Sequence, residues 1–288
     1  MAVQLLNKIN DVKENIKNWK SQGLRVGLVP TMGALHKGHE SLIKKAKEMC
    51  DKVVVSVFVN PIQFGPSEDY DKYPRTIEKD TAVCEKVGAD IIFSPTPEEM
   101  YGKNKKLSNT ELTFVCPPYN FVDCLCGKSR TGHFDGVATV VLKLFNIVSP
   151  DYAFFGQKDA QQLFILKNMV KDLNLDIIIV PCPIVREEDG LALSSRNTYL
   201  NSEERQNALT INKALKHIKS LYLQGIKDTK HLFDAAISIL DKHLDLEYLE
   251  FRNFETFEEV DTACNNTLVA IAVRAGKTRL IDNIIIRE

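Results

Sequence analysis

The sequence lacks a long apolar run. Its longest apolar stretches cover residues 53–59 and 175–180, far short of the roughly 20 residues that a membrane-spanning helix needs. Their lengths fit buried β-strands instead. The first twenty residues carry charges and amides throughout, where an export signal needs a continuous apolar segment. These absences predict a soluble protein without an export signal.

An excess of charge of one sign is also lacking. Lys and Arg number 37, Asp and Glu number 38, and the formal net charge is -1. Polynucleotide-binding surfaces need clustered positive charge. Neither nucleic acid nor a membrane is therefore an expected partner.

The cysteines do not form the pattern of a disulfide framework. They number seven, an odd count, and are scattered through 288 residues. A chain of this length buries a core large enough to fold without disulfides, so reduced thiols and a cytoplasmic location are expected. Cys116, Cys124 and Cys126 lack the paired CxxC spacing of a zinc site. We interpret them as ordinary thiols.

Apolar, β-branched runs alternate with longer amphipathic stretches in the first two thirds of the chain. Continuous apolar runs such as VVVSVFV indicate strands that are covered on both faces, as in a parallel sheet between helices. This pattern predicts an α/β fold with a doubly wound, Rossmann-like parallel sheet. The predicted strands are residues 25–30, 52–59, 90–93, 151–155 and 176–180.

The pattern changes after Val180. Two amphipathic stretches, residues 202–223 and 229–244, predict helices, and three further runs separated by turn-like segments predict strands at residues 246–251, 267–273 and 280–285. We therefore expect two domains, residues 1–185 and a second, smaller α+β domain of residues 186–288. Ligands of doubly wound sheets bind beyond the carboxyl ends of the strands, so the loops there are the expected site.

The first such loop holds two histidines. The segment GLVPTMGALHKGHESLIKKA passes from a strand through a turn into a helix that is expected to start near Gly38, with His36 and His39 at its entrance. A helix start presents unpaired N–H groups, and imidazoles add further donors. This arrangement suits nucleotide phosphates. The alternatives are ordinary surface histidines, or a zinc pair for which no third ligand follows at metal-like spacing.

Three later segments add polar side chains. Asn60 and Gln63 follow the second strand, and Gln63 offers a donor and an acceptor to a small polar ligand. Lys158 lies in the first turn of a helix after Gly156. Ser195 and Arg196 stand in a polar loop where a guanidinium suits phosphate oxygens. The alternatives are a solvated Asn-Pro turn, a capped helix start and a plain connecting loop.

These motifs resemble the signatures of a known superfamily and of one family within it. The HxGH sequence at His36–His39 resembles the signature of the nucleotidyltransferase superfamily. The longer strings PTMGALHKGH, FVNPIQF and LALSSRNTYL resemble pantothenate synthetases, and the resemblance covers residues 24–200. It implies a ligase that joins pantoate to β-alanine through an acyl-adenylate, with ATP as substrate, Mg²⁺, and a cytoplasmic homodimer.

The resemblance also implies roles for individual residues. His36, His39, Lys158, Ser195 and Arg196 are the implied catalytic residues, and Asp80 an implied magnesium ligand. The implied ATP-binding residues are Met32, Gly33, Ala34, Leu35, His36, Lys37, Gly38, His39, Gly156, Gln157, Lys158, Asp159, Val185, Leu193, Ser194, Ser195 and Arg196. Asn60, Gln63, Arg130, His133 and Gln162 are the implied contacts of pantoate and β-alanine.

The chain departs from the family pattern at two positions. Thr131 stands where the family usually has the proline of RPGHF, and the loss of that rigid residue is expected to loosen the loop. Gln157 stands where the family usually has an acid, in GQKD instead of GEKD. Two alternative functions remain open at this point: another HxGH-type adenylyltransferase, and a catalytically silent nucleotide-binding protein.

Overall fold

Two structural units make up the chain in the computed structural model, which describes residues 2–65, 68, 70–103, 106–108 and 111–287. The first unit comprises Met1–Gln157 and Ile165–Pro183, and the second comprises Lys158–Phe164 and Ile184–Glu288. The sequence-based division places Lys158–Phe164 in the first domain, whereas the structure groups these residues with the second unit. None of the helices in the described residues is both long and apolar enough to cross a membrane.

The first unit is built on a parallel sheet of six strands within its described residues, in the order β1-β4-β3-β2-β5-β6. Val53, Val54 and Val55 in β3 are each 0% exposed. Because successive side chains of a strand point to opposite faces, helices cover both faces. The predicted α/β class and parallel sheet are confirmed. The strands are β1 (Gln4–Leu6), β2 (Val26–Thr31), β3 (Lys52–Val57), β4 (Ile91–Phe93), β5 (Tyr152–Gly156) and β6 (Ile178–Cys182).

The edge strand β1 was not predicted from the sequence. It has three residues, begins with Gln4, and pairs with β4. Its residues are exposed or only partly buried, so it lacks the apolar run that marks the central strands. A strand this short gives no periodic signal, and only its pairing with β4 defines it.

The helices of the first unit follow the strands in alternation. Helices α1 and α7 pack against each other and on β2, while α2 packs on β2, β3 and β5 and against α3. Helix α2 begins at Lys37, one residue before the predicted start near Gly38. The helices are α1 (Ile9–Ser21), α2 (Lys37–Met49), α3 (Ile77–Val87), α4 (Pro97–Tyr101), α5 (Tyr119–Val122), α6 (Leu125–Ser129), α7 (His133–Val148) and α8 (Ala160–Asp172), whose first turns belong to the second unit.

The second unit combines two helices with an antiparallel sheet in the order β7-β8-β9. Its core includes Leu215 and Ile218 of the first helix and Val269 and Ile271 of the central strand. The predicted smaller α+β unit is confirmed. The elements are α9 (Ser202–Leu223), α10 (Thr229–Ile237), β7 (Leu244–Asn253), β8 (Thr267–Ala275) and β9 (Thr278–Ile285).

The predicted helix over residues 229–244 is wrong in its second half. Helix α10 ends at Ile237, and Leu244 already starts β7. Asp241 explains the break, because its side chain accepts hydrogen bonds from the backbone N–H and the ring of His243. Such local side-chain bonds stabilise a turn in place of further helix.

Asp90 ties the start of β3 to α2 and β4. Its carboxylate accepts hydrogen bonds from the Lys47 ammonium at 3.0 Å, the Lys52 ammonium at 3.0 Å and the Val53 backbone N–H at 2.9 Å. Burial acts to raise the pKa of this carboxyl. The Val53 amide and the two ammonium groups outweigh burial and hold the pKa of Asp90 below its usual range.

We expect Asp90→Asn to lower the free energy of unfolding by about 2 kcal/mol at pH 7, the usual contribution of hydrogen bonds to a charged group. The lowered pKa means that the stabilisation is fully present above the unfolded-state pKa of about 3.9. It is lost as the pH falls through the folded-state value. Chemical denaturation of both proteins from pH 7 downwards checks this. A difference that stays constant down to the lowest pH would contradict it.

Candidate active site

The eight predicted ATP-binding residues from Met32 to His39 form the loop after β2, residues 32–36, and the first turn of α2, residues 37–39. Gly33 and Ala34 take left-handed backbone conformations, with φ of 87° and 51°. The Thr31 hydroxyl accepts a hydrogen bond from the Gly33 N–H at 3.1 Å and donates to the Ser56 carbonyl at 2.6 Å. The loop is therefore anchored to the end of β3.

Asp80 fixes the middle of this loop. It is 1% exposed, and its carboxylate accepts hydrogen bonds from the backbone N–H of Ala34 at 3.1 Å and of Leu35 at 2.7 Å. The Thr76 hydroxyl donates to the same carboxylate. A left-handed conformation is strained for alanine, so these bonds hold a shape that Ala34 would not adopt alone.

The Asp80 carboxylate is engaged by the loop. Both of its oxygens already accept hydrogen bonds from N–H groups of the loop, and the carboxylate is buried. Within the described residues, no group of three or more His, Cys, Asp or Glu side chains could hold a metal ion. These bonds give Asp80 a structural role in the loop, and its role as a magnesium ligand stays a prediction.

His36 and His39 cap the start of α2 together. The Nδ1 atom of His36 accepts from the Gly38 N–H at 3.1 Å, and the Nδ1 atom of His39 accepts from the His36 N–H at 3.3 Å. Their rings are stacked, with centroids 4.1 Å apart. An Nδ1 atom that accepts carries no proton, so each neutral ring has its proton on Nε2. The two imidazoles therefore have their N–H donors on the side away from the helix backbone.

Asn60 and Gln63 lie beyond the carboxyl end of β3. Asn60 precedes a 3-10 turn at Pro61–Gln63, and Gln63 is its last residue. Asn60 is 1% exposed and Gln63 is 8% exposed. The Asn60 amide donates to the Gln63 Oε1 at 3.0 Å and to the Gly136 carbonyl at 3.1 Å. We therefore expect Asn60 to act through Gln63, and its direct contact with a substrate stays a prediction.

Arg130 and His133 support the same turn. Arg130 donates to both oxygens of Glu68, at 2.6 and 2.8 Å, and lies 2.8 Å from the His133 Nε2. Because a guanidinium only donates, Nε2 accepts. The Nδ1–H of His133 then donates to the Gln63 carbonyl at 2.8 Å. These contacts place both residues beside Gln63, while their contact with a substrate stays a prediction.

Glu68, the ion-pair partner of Arg130, was not predicted from the sequence. Burial acts to raise the pKa of its carboxyl, but the hydrogen bonds and charge of Arg130 outweigh burial and hold that pKa below its usual range. The partners are 62 positions apart in the chain. No local spacing could have identified this pair.

The second unit holds Lys158, Asp159 and Gln162. Gly156 ends β5, and Gln157–Asp159 form a 3-10 turn that leads into α8. The Lys158 carbonyl accepts a hydrogen bond at 2.9 Å from Asn283, which is 2% exposed. Gln162 is partly exposed, whereas its neighbour Gln161 is buried. Asn283 thus fixes the backbone at Lys158 within this unit.

The predicted phosphate loop also lies in the second unit. The Leu193 N–H donates to the Val185 carbonyl at 3.0 Å, which joins the two arms of the loop. The Ser194 hydroxyl accepts from the Arg196 N–H at 3.3 Å and caps a 3-10 helix at Ser195–Tyr199. Ser194, Ser195 and Arg196 are all partly exposed. The loop therefore presents two hydroxyls and a guanidinium from one short turn.

The buried side chain of Asn197 holds this turn in place. Its amide donates to Glu187 at 2.7 Å and to the Ala192 carbonyl at 3.0 Å. Arg205 pairs with both Glu187 and Asp189, each at 2.6 Å. The sequence did not predict this network. Arg205 lies in α9, where the sequence pattern indicates only an amphipathic helix, and no local motif links it to Glu187 or Asp189.

The fold defines an α/β protein with a doubly wound parallel sheet, a class in which ligands bind beyond the carboxyl ends of the strands. The particular group follows from comparison with known proteins. The chain belongs to the pantoate-beta-alanine ligase family, because the sequence profile of that family matches residues 4–285.

Individual relatives cover nearly the whole chain. It is 51% identical over 284 residues to the pantothenate synthetase of Caldicellulosiruptor saccharolyticus, covering 98% of this chain and 99% of the relative. The pantothenate synthetase structure from Thermus thermophilus has a TM-score of 0.92 and 38% identity, with coverage of 99% and 100%. The Francisella tularensis pantoate-beta-alanine ligase, solved with beta-gamma ATP and beta-alanine, has a TM-score of 0.79 and 34% identity, with coverage of 99% and 98%.

We expect Asp80→Asn to lower the free energy of unfolding by about 2 kcal/mol, because the new NH₂ group would face one of the loop N–H donors and leave it unpaired. Asp234→Asn, on the exposed surface of α10, is the matched control and should stay within about 0.5 kcal/mol of the parent protein. Chemical denaturation measures both. Equal stability of the two variants would show that Asp80 does not hold the loop.

Proposed function

We propose that the protein condenses pantoate with β-alanine, using ATP, and forms pantothenate, AMP and pyrophosphate. The observation that carries this proposal is the loop at residues 32–39, folded with two imidazole donors at a helix start, in a chain that belongs to the pantoate-beta-alanine ligase family. Helix starts that present N–H groups are suited to bind phosphates.

The proposed reaction has two steps. A pantoate carboxylate oxygen attacks the α-phosphorus of ATP, and the bond from that phosphorus to pyrophosphate breaks. The amine of β-alanine then attacks the carbonyl carbon of the pantoyl-adenylate, loses a proton, and releases AMP. Neither step needs a protein nucleophile, so catalysis rests on alignment and on donors matched to developing charge.

His36 and His39 are the proposed phosphate donors of the first unit. Their Nδ1 atoms accept backbone hydrogens, which places a proton on each Nε2. Donors that are already oriented need no reorganisation when charge develops on the phosphates. Lys158, Ser195 and Arg196 of the second unit are the proposed cationic and hydroxyl contacts of ATP. Arg is favoured there because its planar fork forms paired bonds to phosphate oxygens.

Gln63 and Gln162 are the proposed pantoate contacts. Pantoate carries a carboxylate and two hydroxyls, which amide groups recognise by hydrogen bonds. Support for Gln63 comes from its buried position at the end of β3 and from its fixed backbone. Gln162 is proposed from the family resemblance, and its partial exposure leaves its amide accessible.

Magnesium enters this proposal as part of the substrate, MgATP. Mg²⁺ commonly keeps several waters and binds through one or two carboxylates together with nucleotide phosphates, and Asp80, whose oxygens also accept hydrogen bonds from the loop, is the proposed carboxylate. A cytoplasmic homodimer completes the proposal.

Pantoate-dependent exchange of labelled pyrophosphate into ATP, measured with Mg²⁺ and without β-alanine, tests the function. Reversible formation of a pantoyl-adenylate predicts exchange only when pantoate is present. Exchange without pantoate, or its absence in folded protein that binds ATP, would contradict the proposal.

We expect His39→Ala to lose this exchange at least a hundredfold, because removal of one oriented donor commonly costs about 3 to 4 kcal/mol. His231→Ala, at an exposed position of α10, is the matched control and should retain the activity. Thermal unfolding verifies that both variants are folded. Parental exchange rates in folded His39→Ala would remove His39 from the mechanism.

A further inference from the structure

A buried chain of side-chain hydrogen bonds leads from Tyr101 to Gln63. The Tyr101 hydroxyl lies 2.6 Å from the Asn60 Oδ1, and the Asn60 Nδ2 lies 3.0 Å from the Gln63 Oε1. Tyr101 is 5% exposed and Asn60 is 1% exposed. Tyr101 lies 41 positions from Asn60 in the chain. It has no role in the two proposed reaction steps.

One backbone carbonyl fixes the direction of every bond in this chain. The Asn60 Nδ2 lies 3.1 Å from the carbonyl oxygen of Gly136, which can only accept. The amino side of the Asn60 amide must therefore face Gly136. It follows that the other side, Oδ1, accepts from Tyr101, and that the Gln63 atom beside Nδ2 is an acceptor, Oε1.

The orientation of the Gln63 amide is fixed as a consequence. With Oε1 turned toward Asn60, the Nε2 group is turned away, and it lies 3.1 Å from the Met32 sulfur in the loop after β2. A thioether is a weak acceptor. An oxygen atom of a ligand would be a better partner for this N–H group than the sulfur.

The backbone beneath Gln63 is equally constrained. A Cβ atom on Gly136 would lie 2.3 Å from the Ile62 carbonyl oxygen and 2.6 Å from the Gln63 Cα. Helix α7 can therefore approach the 3-10 turn only because residue 136 is glycine. His133 in the same helix binds the Gln63 carbonyl. Only rotation of the Gln63 side-chain amide is left unconstrained by these backbone contacts, and the hydrogen bond from Asn60 restricts that rotation.

Tyr101 remains a donor throughout the neutral range. Burial raises the pKa of its hydroxyl, so the proton that it shares with Asn60 is retained. The Lys143 ammonium lies 5.6 Å from the centre of the Tyr101 ring, a cation–π distance that helps to hold the ring in place.

We propose that Tyr101 is a positioning residue which, through Asn60, holds the Gln63 amide with its N–H turned toward an acceptor oxygen of pantoate. This inference rests on the proposed function for the identity of the ligand. It makes Gln63 a donor in the site, so the site selects a carboxylate or hydroxyl oxygen at this position.

Removal of the Tyr101 hydroxyl should loosen this arrangement. The Asn60 Oδ1 would be left buried without its donor, which is unfavourable. Asn60 would then be held by its Nδ2 bonds alone, and the Gln63 amide that it orients would be held less firmly toward the ligand. The effect should therefore fall on pantoate and not on ATP.

Steady-state kinetics of Tyr101→Phe provide the first test. We expect the KM for pantoate to rise about tenfold, the equivalent of one lost hydrogen bond, with the KM for ATP unchanged. Tyr152→Phe is the matched control, because Tyr152 is partly buried at the amino end of β5 and away from the ligand-binding loops. An unchanged KM for pantoate, or an equal rise for both substrates, would overturn the proposal.

Gln63→Glu tests the donor assignment directly. The new carboxylate can still accept from Asn60, so the buried contact is preserved, but it offers no N–H to the ligand. We expect kcat/KM for pantoate to fall about a hundredfold, since a polar site rejects a mismatched partner strongly. Activity close to that of the parent protein would mean that Gln63 presents its oxygen.

A third measurement separates this inference from the proposed function. If the parent protein shows no pantoate-dependent exchange, the proposed function fails. Neutron diffraction from deuterated crystals then decides the hydrogen-bond chain without any substrate. Deuterium on the Asn60 Nδ2 toward Gly136, and on the Gln63 Nε2 away from Asn60, is expected. A Gln63 amide with its Nε2 toward Asn60 would overturn the orientation in either case.

Discussion

The loop after β2 depends on the hydrogen bonds that the Asp80 carboxylate accepts from the N–H groups of Ala34 and Leu35. They hold a left-handed alanine between a strand and a helix, and so determine where α2 begins. The start of α2 in turn determines where His36 and His39 stack. A buried acid thus acts on the proposed phosphate site without contacting the phosphates.

A second constraint works in the same way on the neighbouring loop. The close approach of Gly136 to the turn at Pro61–Gln63 puts one carbonyl against Asn60, and that carbonyl sets the orientation of the Gln63 amide. In both loops, residues that lie apart in sequence meet at the carboxyl ends of parallel strands. This is the general position of ligand sites in doubly wound sheets.

The sequence predicted the central sheet, the start of α2 and the smaller second unit, because continuous apolar runs and a strand-turn-helix segment are local signals. It did not predict β1, whose three residues carry no periodic pattern, or the end of α10, which a turn at Asp241 decides. The supporting residues Tyr101, Glu68 and Gly136 were also missed. Their partners lie 41 to 76 positions away in the chain, and only the fold brings them together.

The proposed reaction depends on activation of pantoate as an adenylate. Isotope transfer tests it most directly: pantoate labelled with ¹⁸O in its carboxylate is converted with ATP and β-alanine, and the products are analysed by mass spectrometry. One labelled oxygen should appear in the phosphate of AMP, because attack on the α-phosphorus leaves that oxygen in AMP when the amide forms. Label in inorganic phosphate together with ADP, or AMP without label, would contradict the account.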